Sequence, residues 1–260
     1  TLHPDVDEPP WGEIRFFEVA TGQEIVTPIS VPKWVWDIQW DEQSNHVFVA
    51  MGVPGQSGDE RIGQVQVIDV RSSEVKVDLA THGLRCRSIQ LLPGNQLATA
   101  SESALEVWDL ATGELIASNL ATEGRNFVTI VDGELVTGNA GRIEFRDSQT
   151  LELKRVWKQP QFNNERFGFA NIADVSVSPD RKRLVSAAWN ATLTVWDMLS
   201  GEPLLTFRAH DAGIHHVDFT RDGGSIVSSG HDGKVCVWEA ASHRQETEAV
   251  GSDSHMSQPD

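Results

Sequence analysis

Short runs of alternating apolar and polar residues recur along most of the chain, and Gly, Pro, Asp or Asn bounds nearly every run. Examples in the last third of the sequence are VDFT, SIVSS and KVCVW. A period of two residues is typical of β-strands that bury one face, whereas an amphipathic helix buries every third or fourth residue. Because no long stretch shows the helical period, the pattern predicts an all-β protein of short strands and tight turns.

The strand pattern is itself repeated along the chain. The segment IADVSVSPDRKRLVSAAWNATLTVWDM, from Ile172, aligns without a gap with IHHVDFTRDGGSIVSSGHDGKVCVWEA, from Ile214, at an offset of 42 residues. Similar closing phrases occur upstream, such as LEVWDLATGEL around Trp108. The spacings between successive endings are 51, 40, 38, 50 and 42 residues, as expected for four-stranded propeller blades, and the endings lie near positions 17, 68, 108, 146, 196 and 238.

The closing phrases resemble the WD-repeat family. The motifs that carry the resemblance are two VWD triplets, one VWE triplet and one SPD triplet, at 107–109, 195–197, 237–239 and 178–180. The resemblance covers about residues 12 to 240 and implies a β-propeller of four-stranded antiparallel blades. Arg146, Ile68 and Phe17 stand where the family has Trp, so the array is degenerate, and its phrasing is similar to that of bacterial arrays.

Counting strands predicts an incomplete ring. Five of the repeat endings are preceded by enough residues to form a full repeat. The ending around Phe17 is preceded by too few residues, so it can form only a third strand and the start of a fourth. We therefore predict a propeller over 1–240, with five full repeats and a partial first blade, and a polar, disordered tail over 241–260. We expect Thr1 to lie within a longer chain that completes a six- or seven-bladed ring.

The charge balance narrows the classes of partner. Thirty-eight acidic and 21 basic side chains give a net charge of −17, which repels nucleic acid and anionic membranes. No apolar run approaches the roughly 20 residues of a membrane span. Cys86 and Cys236 fit neither a disulfide framework nor a zinc motif and are predicted to be buried thiols in a reducing compartment. The sequence thus predicts a cytoplasmic protein that binds no nucleic acid, membrane or cofactor.

The His-rich stretch from His210 to Gly233 raises three alternatives: a hydrolase triad, a metal site or a structural hydrogen-bond network. The WD-repeat resemblance implies the third, a buried chain formed by His210, Ser228, Asp232 and Trp238. Parts of this set recur in other repeats, whereas a catalytic site is expected once. His215 and His216 are adjacent on a predicted strand and so point to opposite faces, which disfavours a metal site. We predict no catalytic residue and no metal ligand.

A face of the predicted propeller is the candidate for function. The loops between second and third strands and those between blades lie at one end of such a meander, and both long insertions fall there. Loops on a rigid scaffold commonly carry recognition, and Trp and Arg are enriched in binding hot spots. Trp36 and Trp40 are predicted to belong to strand cores. The predicted partner-binding face comprises Trp34, Arg85, Phe162, Arg166, Phe167, Trp189 and His231.

Two functions remain open from the sequence. The first is a non-catalytic WD-repeat scaffold that binds protein or peptide partners through this loop face and takes no small-molecule substrate. The alternative is the carboxyl-terminal sensor or docking arm of a larger enzyme, such as a bacterial protein kinase. The alternative rests on analogy between similar arrays, because the residues carry no kinase, phosphate-binding or hydrolase motif.

Overall fold

The described part of the chain is an all-β array of six antiparallel sheets. The computed structural model describes residues 12–41, 45–52, 63–83, 85–101, 103–120, 127–160 and 171–239. None of these residues forms a helix that is long and apolar enough to cross a membrane. Sheet A pairs β1 (Gly12–Ile14) with β2 (Ile29–Val31).

The next five sheets are meanders in which each strand pairs with the one that follows it in sequence. Sheet B contains β3 (Trp34–Trp40), β4 (His46–Gly52), β5 (Gln64–Asp69) and β6 (Val75–Ala80). Sheet C contains β7 (Cys86–Leu92), β8 (Gln96–Ser101), β9 (Ala104–Asp109) and β10 (Leu115–Leu120). Sheet D contains β11 (Val128–Val131), β12 (Glu134–Asn139), β13 (Arg142–Asp147) and β14 (Leu153–Lys158).

Sheet E contains β15 (Ile172–Val177), β16 (Arg183–Ala188), β17 (Thr192–Asp197) and β18 (Pro203–Arg208). Sheet F contains three strands in the described part of the chain, β19 (Ile214–Phe219), β20 (Ser225–Gly230) and β21 (Val235–Glu239). The repeat endings near positions 68, 108, 146, 196 and 238 each lie in the third strand of sheets B to F. The expected all-β propeller blades are confirmed.

The core is divided into layers, each filled by apolar side chains from two neighbouring sheets. Five such clusters join A to B, B to C, C to D, D to E and E to F. The layer between sheets D and E is the most aromatic, with the rings of Trp157 and Trp196 stacked at 5.7 Å between centroids. Apolar burial between blades, rather than within one sheet, therefore holds the array together.

A recurring aspartate explains the turns that join third and fourth strands. In sheet E, the carboxylate of Asp197 accepts hydrogen bonds from the amides of Leu199 and Ser200 at 3.1 and 2.8 Å. Gly201 then takes a left-handed conformation with φ of 73°. Asp69, Asp109 and Asp147 make the same pair of amide contacts in their own sheets. The D of each VWD-like phrase is thus a turn former whose carboxylate satisfies amides that the strands leave unpaired.

The first strands of sheets B to F surround a central channel of about 610 Å³. Side chains on one first strand bond to the backbone of the next. The Asp37 carboxylate accepts from the Ile89 amide at 2.9 Å, and the Asp174 carboxylate accepts from the Val217 amide at 3.0 Å. These bonds cross from blade to blade and fix the strands that form the channel wall.

Within the described residues the ring is open between sheets F and A. None of the five apolar clusters spans this gap. Between sheets E and F, a largely apolar cleft of about 560 Å³ runs between β18 and β21. Val237, on its wall, is 60% exposed, whereas its counterparts Val67, Val107 and Val195 are at most 9% exposed.

Candidate functional site

One end of the central channel gathers aromatic, imidazole and guanidinium groups. Trp36, Arg87 and His215 line the channel and occupy equivalent positions on β3, β7 and β19. In each of these three strands the register of pairing with the second strand shifts at this residue, so the three positions are equivalent. Trp189, in the turn after β16, lines the same channel. We call Trp36, Arg85, Arg87, Trp189, His215 and His231 the channel mouth.

Trp36 and two arginines form one side of the channel mouth. The guanidinium carbons of Arg85 and Arg87 lie 5.7 and 5.3 Å from the centre of the Trp36 ring. The indole nitrogen of Trp36 donates to the Gly52 carbonyl at 3.4 Å, which anchors the ring to the second strand of its sheet. At these distances the ring face attracts both cations, so the indole stacks beneath a local positive charge.

Trp189, His215 and His231 form the other side. The Trp189 ring lies 5.3 Å from His215 and 5.1 Å from His231, and the two imidazole centroids are 3.9 Å apart. Gly213 permits this arrangement, because an added Cβ there would lie 3.2 Å from the Trp189 ring and 3.0 Å from the Trp189 carbonyl. Burial lowers the pKa of His215, and the neighbouring His231 and Arg87 lower it further.

A bulge decides where the adjacent histidines point. The pairing of β19 with β20 shifts between Ile214 and His216, and both His215 and His216 line the channel. They nevertheless take different partners: His215 contacts His231, while His216 lies 2.5 Å from Asp174, whose hydrogen bond raises the pKa of His216.

Carboxylates lie below the channel mouth and are engaged by the backbone. Asp37 accepts from the Ile89 amide as described above and also from the Ile38 amide at 2.8 Å. Asp174 accepts from its neighbour Val175 at 2.9 Å. Burial raises the pKa of Asp37 against the effect of these hydrogen bonds. The channel is therefore cationic at its mouth and acidic one residue further in.

The structure brings together some of the residues predicted for the binding face. Trp189 touches His231, and Arg85 lies over Trp36. Trp34 is the first residue of β3 and is 43% exposed. Phe162, Arg166 and Phe167 lie outside the described residues. Sequence reasoning missed Trp36, which it assigned to a strand core, together with Arg87 and His215. Their shared register in the repeats was the signal that could have found them.

The four residues predicted as a structural network form one hydrogen-bonded chain in sheet F. Nδ1 of His210 lies 2.9 Å from the Asp232 carboxylate, and Nε2 of the same ring lies 2.8 Å from the Ser228 hydroxyl. The Trp238 indole donates to the same hydroxyl at 2.9 Å. Gly230 leaves room for the imidazole, since a Cβ there would lie 2.8 Å from Nδ1.

Related chains occur in two other sheets. In sheet E, the Trp196 indole donates to Ser186 at 2.9 Å, and the Ser186 hydroxyl donates to the side-chain carbonyl of Gln159 at 3.2 Å. In sheet C, the Trp108 indole donates to Thr99 at 3.1 Å, and Thr99 contacts the buried carboxylate of Glu106. Each chain begins at an indole and a hydroxyl but ends on a different polar group.

The chemistry available in the described residues is that of recognition. Cys86 is fully buried, and burial raises the pKa of its thiol well above the ordinary value, so it is a poor nucleophile. Among the side chains that the structure describes, no three His, Cys, Asp or Glu residues converge to hold a metal ion. Ser228 sits in a buried chain with His210 entirely enclosed, which gives a substrate no approach to its hydroxyl.

Comparison with known proteins also finds similarity to WD repeats. A family model described as "WD domain, G-beta repeat" matches residues 166–197 and 201–239. The chain is 22% identical over 230 residues to the serine-threonine kinase receptor-associated protein of Gallus gallus, covering 86% of this chain and 60% of that relative. It is 23% identical over 206 residues to a guanine nucleotide-binding protein subunit beta-like protein 1 of Mus musculus, covering 72% of this chain and 59% of that relative.

Residues 166–197 and 201–239 are thus similar to WD repeats. The two matched WD repeats include sheets E and F, which carry the Trp189–His215–His231 contacts. The chain spans about 60% of the length of each of these two relatives. The channel mouth lies at the end of the array where the first strands of sheets B, C and F begin.

Proposed function

We propose that this chain is a non-catalytic WD-repeat scaffold that binds protein or peptide partners at the channel mouth. The observation that carries the proposal is the convergence of two Trp side chains, two Arg side chains and two imidazoles at one end of the channel. Such residues are enriched at the centres of protein interfaces. The rigid strands beneath them hold the site in shape before a partner arrives, which reduces the entropic cost of binding.

The relatives favour protein partners over other ligands. The printed name of the Gallus gallus relative describes association with a serine-threonine kinase receptor, and that of the Mus musculus relative describes likeness to a guanine nucleotide-binding protein subunit. The net charge of −17 disfavours nucleic acid and anionic membranes. We therefore assign the channel mouth to a peptide segment of another protein, in a role that needs no cofactor.

A peptide selection tests the proposal. The purified chain is panned against a random peptide library, and enriched peptides are measured with the wild type and with Trp189→Ala. We expect Trp189→Ala to weaken binding by about tenfold or more, as expected of a hot-spot residue. Trp40→Ala is the matched control, because Trp40 is 45% exposed and lies at the opposite end of β3. Equal loss in both variants, or no enriched peptide, would contradict the proposal.

The second candidate function is a docking arm within a larger enzyme. It uses the same channel mouth and the same peptide chemistry, so the structural argument supports both equally. The two differ in what else the gene encodes. A catalytic domain in the same open reading frame would favour the docking arm, and its absence would favour the free scaffold.

A further inference from the structure

The segment that joins sheet B to sheet C is held by one buried carboxylate. We call residues 81–83, between β6 and β7, the B–C connector. The Glu106 side chain on β9 is fully buried, and its carboxylate lies 2.5 Å from Nδ1 of His82 and accepts from the His82 amide at 3.1 Å. The Ser101 hydroxyl donates to the His82 carbonyl at 2.7 Å. Both backbone groups and the ring of His82 are therefore bound to sheet C.

Two other connectors use a different arrangement. Gln159 precedes sheet E and His210 precedes sheet F, and these residues are 8% and 4% exposed. In both, the connector inserts its own polar side chain into the sheet that follows. At the B–C connector the His82 imidazole is 58% exposed, and the group in the interior is the Glu106 carboxylate. A carboxylate without water depends on its hydrogen-bond donors, and His82 supplies two of them.

The B–C connector also buries a polar group that lacks a partner among the described atoms. Thr81 is 1% exposed, and its hydroxyl makes no hydrogen bond in this part of the protein. Thr81 and Gly83 exchange backbone bonds with Gly63, at 2.8 and 2.6 Å, so the connector is paired to the residue before β5. Closure on sheet C is therefore opposed by an unpaired hydroxyl and supported by the bonds of His82.

In the described part of the chain, the titratable groups that face the Glu106 carboxylate are His82 in the connector and Cys86 on β7. Cys86 is fully buried, and burial together with the charges of Asp37 and Glu106 raises the pKa of its thiol well above the ordinary value, so the thiol stays neutral. Burial also raises the pKa of Glu106, against the effect of hydrogen bonds from His82 and Thr99. Glu106 therefore takes up a proton at a higher pH than an exposed glutamate does.

We propose that the contact between Glu106 and His82 is a proton-operated latch: the ionised carboxylate keeps the B–C connector closed on sheet C, and the protonated carboxyl lets it open. An ionised buried carboxylate needs both donors of His82, whereas a neutral carboxyl accepts weaker bonds and tolerates an apolar layer without them. The connector leads to the channel mouth, because Arg85 follows it by two residues, pairs with Gly52 and lies over Trp36. Opening of the latch would free the backbone that precedes Arg85.

The latch makes local and global stability respond to acid in opposite directions. Because burial raises the pKa of Glu106 in the folded protein, its protonation favours the native state over the unfolded chain as the pH falls towards 4.5. The same proton weakens the attachment of the connector. An ion pair that only stabilised the fold would behave differently, because acid would weaken the contact and the protein together.

The test follows the His82 amide by hydrogen exchange and NMR on the whole chain, from about pH 7 to about pH 4.5. Each exchange rate is divided by the intrinsic rate at the same pH, which gives the protection of the amide. We expect this protection to fall by at least about tenfold, with the same midpoint as the carboxyl carbon shift of Glu106. The Gln159 amide is the internal control, because it donates to the Gly141 carbonyl at 2.8 Å and should change by less than about twofold.

Substitutions identify the group that carries the proton. Glu106→Gln has the shape of the protonated carboxyl, so protection of the His82 amide should be low at every pH and show no step. Glu114→Gln makes the same change in charge at an exposed turn of the same sheet and should keep the wild-type step. His82→Ala removes the ring but keeps the amide of residue 82, and the midpoint should move to higher pH because Glu106 loses a donor. Circular dichroism checks that each variant keeps the wild-type strand content.

The latch is rejected if the His82 amide keeps its protection while the Glu106 carboxyl titrates. It is also rejected if Glu106→Gln retains the step, since another group then carries the proton. An equal step at the Gln159 amide would show a general loosening of the array instead of a latch. Support requires a step that is confined to the B–C connector and absent in Glu106→Gln, with a wild-type melting temperature that approaches that of Glu106→Gln in acid.

Discussion

Sheets C and F each contain a buried hydrogen-bond chain that begins at an indole, but the two chains place their imidazole and carboxylate groups differently. In both, an indole donates to a hydroxyl on the second strand: Trp108 to Thr99, and Trp238 to Ser228. In sheet F the chain continues through the buried His210 to Asp232 in a turn. In sheet C the carboxylate is Glu106, on the third strand, and its partner His82 is 58% exposed. The imidazole is enclosed in sheet F and exposed in sheet C, whereas the carboxylate side chain is largely shielded in both.

The two carboxylates have different hydrogen-bond partners. Glu106 occupies the register position that Cys236 holds in sheet F, and its side chain is fully buried. Burial raises the pKa of Glu106 even though His82 donates to it. Asp232 is also desolvated, but hydrogen bonds from the Asp211 amide, His210 and the Lys234 amide outweigh that effect and lower its pKa to about 2. The equivalent hydrogen-bond chains of the two sheets thus shift the pKa of their carboxyl groups in opposite directions.

Removing the indole from each chain should have the largest effect. Trp108 is 6% exposed within a closed layer, so we expect Trp108→Ala to reduce the free energy of unfolding by about 3–5 kcal/mol. Trp238 lines the open cleft beside β18, so Trp238→Ala should cost clearly less. Urea unfolding followed by circular dichroism measures both. Equal losses would mean that the open cleft is closed in solution.

Removing the hydroxyl of sheet F should have an intermediate effect. Ser228→Ala leaves the Trp238 indole and the His210 imidazole without their shared partner, and we expect a loss of about 1–3 kcal/mol in the free energy of unfolding. Ser229→Ala, one residue further along β20, should stay within about 0.5 kcal/mol of wild type. The same urea titration measures both, and a large effect of Ser229→Ala would show that the loss is not specific to the chain.

Ionisation of Glu106 and of Asp232 should change the stability of the protein in opposite directions, and both effects should be smaller than those of the substitutions above. The pKa of Glu106 is raised above its ordinary 4.5, so the native state holds its proton longer, and this carboxyl lowers stability as pH rises from 4.5 through its native pKa. The pKa of Asp232 is lowered from 3.8 to about 2, so its contribution is present above 3.8 and is lost as pH falls towards 2.

Two isosteric variants test these signs. Thermal unfolding is followed from about pH 3 to about pH 7, the range in which carboxyl titration alters stability. Glu106→Gln should gain stability relative to wild type as the pH rises above 4.5, because the variant has no carboxyl to ionise. Asp232→Asn should differ most from wild type near neutral pH and converge with it in acid. Parallel pH profiles for both variants would contradict the assignment of opposite signs.

Much of the fold was readable from the sequence because its signals are local. The alternating runs predicted strands, and the aspartates of the closing phrases mark turns in which the carboxylate binds amides two and three residues away. The gapless alignment of the last two repeats placed Ser186 and Ser228 at the same register, and the structure pairs them with Val175 and Val217 in the same way. Features of this kind can be predicted without knowing which distant residues are in contact, because the same local pattern recurs at a fixed period.

The candidate site was only partly readable, because its members meet across blades. Trp189 and His231 were selected as loop residues, but Trp36 was assigned to a strand core, since a lone aromatic on an alternating strand gives no sign of which side is a channel. The sequence likewise gives no signal for the bulge between Ile214 and His216.

The sequence by itself determined the all-β class, the repeat period and the turn chemistry, because each depends on neighbours along the chain or on a fixed repeat offset. The residues of the sheet F hydrogen-bond chain were identified through the family resemblance. Only the tertiary structure decided which side chains share the channel mouth and which imidazole is exposed. Both depend on contacts between strands far apart in sequence, such as Arg87 with Trp36 or Glu106 with His82. The burial of a side chain and the electric field around it depend on residues from several strands, so both are set only when the blades are packed together.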